Sequence, residues 1–110
     1  MSDMIKIKRG DTLPKMTATL SDSAGPFDLT DATVKFIYRN VATGVVVKKD
    51  AVVADADAGK VEYSWADGET DVAGIYEAEW EVKLISNKIL TFPNQGHLRF
   101  QIIGDIGDAS

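Results

Sequence analysis

Apolar and polar residues alternate with a period of two along most of this sequence, in short runs separated by Gly, Asp, Asn and Pro. A strand turns successive side chains to opposite faces, so such a pattern buries one face of a sheet; no stretch carries the 3.6-residue period of an amphipathic helix. In "KMTATL" the inward set is Met16, Ala18 and Leu20. In "TVKFIYR" it is Val34, Phe36 and Tyr38, and "VVVKK" follows as the hairpin partner. "VEYSW" holds Val61, Tyr63 and Trp65 in phase. After "ADGETDVAG", one face collects Tyr76, Ala78, Trp80, Val82 and Leu84, and the other Glu77, Glu79, Glu81 and Lys83. "ILTF", the "PNQG" loop and a last strand with Leu98, Phe100 and Ile102 inward complete the series. Seven to nine strands, with a turn about every ten residues, predict an all-β, immunoglobulin-like antiparallel sandwich.

The 110 residues suffice for a single domain, 1–110, with an ordered core over 5–103 and a loose polar tail over 104–110. The chain has no cysteine, so the sandwich carries no disulfide and must be held by packing. Met1-Ser2-Asp3 lacks the basic and apolar regions of a signal peptide, and no apolar run reaches the roughly 20 residues that span a bilayer. Folding in the cytosol is the expectation. A formal charge of -5 repels phosphate, so nucleic acid and anionic membranes are not expected partners. Lys6, Lys8 and Arg9 form a short basic patch that reads as the solvated face of an edge strand.

"DVAGIYEAEWEV", residues 71–82, has the pattern of a tyrosine corner, in which a phenol bonds back to backbone a few residues upstream and pins the loop joining two sheets. Tyr76 is the phenol, and the expected acceptor lies between Asp67 and Asp71. Two residues on, where an antibody-type domain keeps a cysteine, stands Ala78. A small residue there leaves room for a large ring, so Trp80 or Trp65 is expected to fill the volume a disulfide would take, with Phe36 beside them.

Catalytic chemistry finds few candidates. His97 is the lone histidine, which removes Cys-His and His-rich metal arrangements and leaves a Ser-His-Asp set without a nucleophile motif. "RGD", Arg9 to Asp11, reads as a turn after the first strand rather than as a cell-adhesion signal. "DADAG" (Asp55, Asp57) and "DGETD" (Asp67, Glu69, Asp71) place carboxylates on alternate loop positions, but neither completes a calcium loop with a terminal bidentate Glu, so both read as turn residues. No metal and no cofactor is expected. Trp65, Trp80, Tyr38 and Tyr63 fall on inward phases, which leaves a saccharide-binding platform, the competing functional reading, without exposed aromatics. The least ordinary surface feature is the row Glu77, Glu79, Glu81. Like charges two apart sit about 7 Å from one another and are tolerable when neighbouring strands bring cations. Lys35 and Arg39 on one side and Arg99 on the other are expected to do so, and these six residues form the candidate interaction face.

An ordered series of phrases runs through residues 5–103. It comprises Arg9-Gly10-Asp11-Thr12, Asp28-Leu29-Thr30 ahead of Ala32-Thr33-Val34, then Gly59 ahead of Val61, Tyr63 and Trp65. Gly74-x-Tyr76 and Phe92-Pro93 with Gly96 follow. In order and spacing this resembles the immunoglobulin-like N-terminal domain of phage and prophage upper baseplate proteins. The resemblance implies a non-enzymatic part of a virion that binds other virion proteins, with a homo-oligomer among the options. It also implies assembly in the reducing cytoplasm of a bacterial host, which suits a bridge-free core. In that family the domain begins a longer chain with a receptor-binding module, whereas this sequence runs to Ser110, so a stand-alone tail, neck or capsid accessory subunit is an equal expectation.

Overall fold

A computed structural model describes residues 5–12, 15–93 and 98–104 of the chain. The described residues form eleven strands: β1 (Ile5–Lys8), β2 (Met16–Thr19), β3 (Ser21–Asp22), β4 (Gly25–Pro26), β5 (Thr33–Asn40), β6 (Val46–Asp50), β7 (Val52–Asp55), β8 (Lys60–Tyr63), β9 (Gly74–Lys83), β10 (Ile89–Phe92) and β11 (Leu98–Ile103). Among them there is no helix. Six strands build one sheet in the order β1-β11-β9-β5-β6, with β10 also on β9; β2-β8-β7 form a second sheet, and β3-β4 a small ribbon.

The count exceeds the seven to nine expected because "SDSAGP" is a hairpin and not a bare turn. Ser21 pairs with Pro26 and Asp22 with Gly25, and the Asp22 carboxylate accepts the Ala24 amide at 2.8 Å. A second departure is that β1 lies parallel to β11. Parallel neighbours need a long connection. Nearly the whole fold intervenes between these two strands, so the chain ends supply one without a crossover helix.

β9 organises the larger sheet. On one side it pairs with β5 from Thr33↔Lys83 to Asn40↔Tyr76. On the other, β11 takes its first half and β10 its second. Register and alternation agree: Val34, Phe36 and Tyr38 lie opposite Val82, Trp80 and Ala78, all buried on one face. Met16, Leu20, Val61, Tyr63 and Trp65 close over them from the smaller sheet side. Phe36 is fully buried and meets five rings, with Trp80 at 4.7 Å and Tyr63 at 5.1 Å between centroids. Tyr76 stacks on Phe100 at 4.9 Å and 6°. Ring pairs of this kind add about 0.5–1.5 kcal/mol each to the burial of their area.

One loop end is fastened by Gly59. Its carbonyl accepts the Leu20 amide at 2.7 Å, and the Leu20 carbonyl accepts Phe27 N–H at 2.8 Å. Gly59 has φ +68, and a Cβ there would stand 2.4 Å from the Leu20 oxygen. Gly59→Ala therefore has both a left-handed backbone and a backbone clash to relieve, and chemical denaturation should show a loss of roughly 2–4 kcal/mol.

Candidate functional site

The corner is built from β9 and the loop before it. Tyr76 follows the bend at Gly74, is buried, and donates its hydroxyl to the Val72 carbonyl at 2.7 Å. The acceptor is thus one residue beyond the segment 67–71, because that segment has folded into turns of its own: Glu69 N–H bonds Ala66 O and Asp71 N–H bonds Gly68 O. Ala78 is 1% exposed, with Tyr38 and Leu98 as its register partners. The Tyr38 ring, 5.7 Å from Trp65 and 5.9 Å from Phe100, takes the space beside it. Trp80 packs one pair further along, against Phe36. Its Nε1 is buried with no hydrogen-bond partner among the described residues.

The outer face of the six-stranded sheet carries the charge row. Glu77 lies between Arg39 and Arg99 in register and is ion-paired with both, Arg99 at 3.4 Å. Lys35 stands opposite Glu81 but pairs instead with Asp50, its neighbour on β6. Glu81 takes Lys48 at 2.9 Å, reached across β5. The two lysines exchange partners because β6, unconsidered as a source of charge in the sequence reading, brings both a cation and an anion to this face. Surface pairs such as these contribute less than about 1 kcal/mol each to stability. At its centre a hollow of about 140 Å³ lies over Ile37, rimmed by Arg39, Val46, Glu77 and Glu79.

Glu69 is the residue that sequence reasoning missed. Grouped there with the turn carboxylates, it is instead drawn inward and accepts hydrogen bonds from Tyr38 OH at 2.7 Å, Tyr63 OH at 2.6 Å and Ala66 N–H at 2.8 Å. Two inward tyrosines, whose hydroxyls need acceptors when buried, were the available signal. The cluster floors a groove of about 440 Å³ lined by Asn40, Val45, Val47 and Val72. With both carboxylate oxygens already engaged, Glu69 braces the loop and holds the two sheets in register. Burial first, then the bond to Glu69, raises both phenols above their ordinary value of 10.0.

Elsewhere the loops are spent on backbone. In "RGD", Arg9 N–H bonds Ile103 O, Gly10 N–H bonds Thr70 O and Asp11 O accepts Thr70 Oγ1 at 2.7 Å, so the tripeptide is strapped to the neighbouring loop. Asp55 accepts Ala58 N–H at 3.3 Å. Among the described residues no group of three potential metal ligands assembles. His97, the "PNQG" residues after Pro93, the first four residues and the tail from 105 lie outside the described residues. Trp65 is 5% exposed and Trp80 1%, so neither offers a face for stacking a sugar.

A sealed aromatic sandwich with a pinned corner and a face of cross-strand ion pairs defines an all-β structural domain. More particularly, the chain belongs to the BppU N-terminal domain family, whose model matches residues 1–102, and it is therefore a phage baseplate structural domain. In fold it is similar to the N-terminal domain of phage TP901-1 ORF48, with a TM-score of 0.63 and 16% identity over 94% of this chain and 85% of that one. CopC from Methylosinus trichosporium OB3b shares the fold more distantly, at a TM-score of 0.53 and 12% identity over 94% of this chain and 86% of that one. No curated protein matches by sequence.

Two measurements check the Glu69 brace. Glu69→Ala, which leaves two phenol hydroxyls without their acceptor, should lower stability by about 2–4 kcal/mol, and Glu69→Gln, which keeps one acceptor oxygen, by less. The raised phenols hold protons that the unfolded chain releases near pH 10.0, so their stabilisation is complete below that pH and is lost as pH rises beyond it. Denaturation midpoints should fall steeply in the alkaline range, and less so in Tyr38→Phe/Tyr63→Phe.

Proposed function

We propose that this chain is a non-enzymatic structural subunit of a phage particle that binds other virion proteins through the outer face of its six-stranded sheet. Membership of the baseplate domain family is the observation that carries this reading. The geometry supports it: the large aromatics are turned inward, and the sheet face presents oriented charges around the hollow over Ile37. An apolar centre with a polar rim is the anatomy of a protein interface. A face of fixed ion pairs selects partners by complementary potential, which governs encounter and register. Lack of cysteine supports folding and assembly in the cytoplasm of the bacterial host, where a bridge would not persist. The formal charge of -5 favours protein partners over nucleic acid or membrane.

Quantitative mass spectrometry of purified particles tests the reading. The chain should be present in a fixed ratio to baseplate proteins, and Arg39→Glu/Arg99→Glu, which leaves Glu77 between two like charges and reverses the sign of the face, should lower that ratio. A protein absent from particles would not be a virion subunit.

A further inference from the structure

The outer face of the six-stranded sheet is basic on an acidic chain, and we propose that it docks the acidic loop end of a second copy, head to tail. This rests on the reading of that face as an interface and names its occupant. By register, Lys35, Arg39, Lys48 and Arg99 share the face with four carboxylates, Asp50, Glu77, Glu79 and Glu81. Lys6, Lys8 and Lys83 lie on the same face, on β1 and β9. Seven cations against four carboxylates leave a surplus of three positive charges. The described residues carry 12 cations and 14 carboxylates, so those off this face sum to -5 (-2 less +3). The charge is unevenly distributed, with the surplus cations on one face of the sheet.

The complementary charge lies at one end of the sandwich, where three segments meet: the β3-β4 hairpin, residues 27–32, and the β7-β8 turn. Leu29 N–H bonds Ala56 O at 3.0 Å and Leu20 N–H bonds Gly59 O, so the segments form one braced unit. Asp22, Asp28, Asp31, Asp55 and Asp57 are all exposed there, with Lys60 opposite Asp55 in register. Hydrogen bonds from Thr30 hold the Asp28 carboxyl below its usual range, which keeps it charged.

Edge-to-edge pairing of copies is the less favourable geometry. Of the open edges of the large sheet, β1 bears Lys6 and Lys8 and β6 bears Lys48 and Lys49, so these two meet with like charge, while the third, β10, is a four-residue apolar edge. Lysines on edge strands are a known guard against such pairing. Joining the basic face of one copy to the acidic end of the next uses two different surfaces. Such a heterologous contact generates a ring if the rotation closes and a filament if it does not.

Sedimentation equilibrium of the full chain tests this. Reversible self-association is expected at ~0.1 M salt and its loss at ~1 M, since the Debye length falls from about 10 Å to about 3 Å. Inverting the face (K6E/K8E/K83E) or neutralising the loop end (D22K/D57K) should each weaken association about tenfold or more, and mixing the two variants should restore a contact between the intact face of one and the intact loop end of the other. Circular dichroism checks that both stay folded. A wild-type chain that is monomeric up to millimolar concentration, association indifferent to salt, or mixing without restoration would each overturn the proposal. Failure here with the chain still present in particles would leave the structural role standing and assign the basic face to a different acidic virion protein; absence from particles would remove both.

Discussion

The aromatic contact around Phe36 is the interaction on which the rest of the structure depends. Its ring is fully buried between the sheets and meets Trp80 and Tyr38 from its own sheet and Tyr63 and Trp65 from the facing side. Because Phe36 and Trp80 are also register partners on β5 and β9, one cluster fixes strand pairing and sheet stacking together. A slip of one residue by β5 would turn Phe36 and Tyr38 to solvent together, and a slip by β9 would do the same to Trp80. In a chain without cysteine it is this packing, and no covalent bridge, that ties the central strands of the opposite sheets. Tyr38 is the ring that makes Ala78 workable, and its hydroxyl leads out of the core to Glu69.

The same alternation that builds the core builds the charged outer face of the sheet. Each inward residue on β5 and β9 is followed by an outward one, so the row of charges interrupted by Ile37 and Ile75 is held on the outside at the same spacing as the core rings within. Glu77 between Arg39 and Arg99 is the outward counterpart of the inward neighbours Tyr76 and Ala78. Strands hold such groups at fixed spacing, whereas loop charges move.

Much of the architecture was legible. The inward sets Val34-Phe36-Tyr38, Val61-Tyr63-Trp65 and Tyr76-Ala78-Trp80-Val82 are all buried, because period-two patterning is a local property that each strand carries by itself. The resemblance to upper baseplate domains agrees with the family match. Less legible were features that depend on two distant segments at once. Lys35 bonds Asp50 and not Glu81, and Lys48 reaches Glu81, since side-chain reach and the position of β6 decide among acceptors at similar distance. The corner acceptor is Val72 for the same kind of reason: the turns at 66–71 engage the Ala66 and Gly68 carbonyls within the loop itself.

Sequence by itself determined that this chain forms strands, which face of each is buried, that no disulfide is available, and that charge is concentrated opposite the core. Those properties are set by side-chain type and by the two-residue repeat of an extended backbone. Only the tertiary structure decided that β1 joins β11 in parallel, that Glu69 turns inward to two phenols, and that the surplus cations of β1 and β9 fall on one face. Each of these is a meeting of residues far apart in the chain, and the free energy that selects it depends on the relative placement of whole strands.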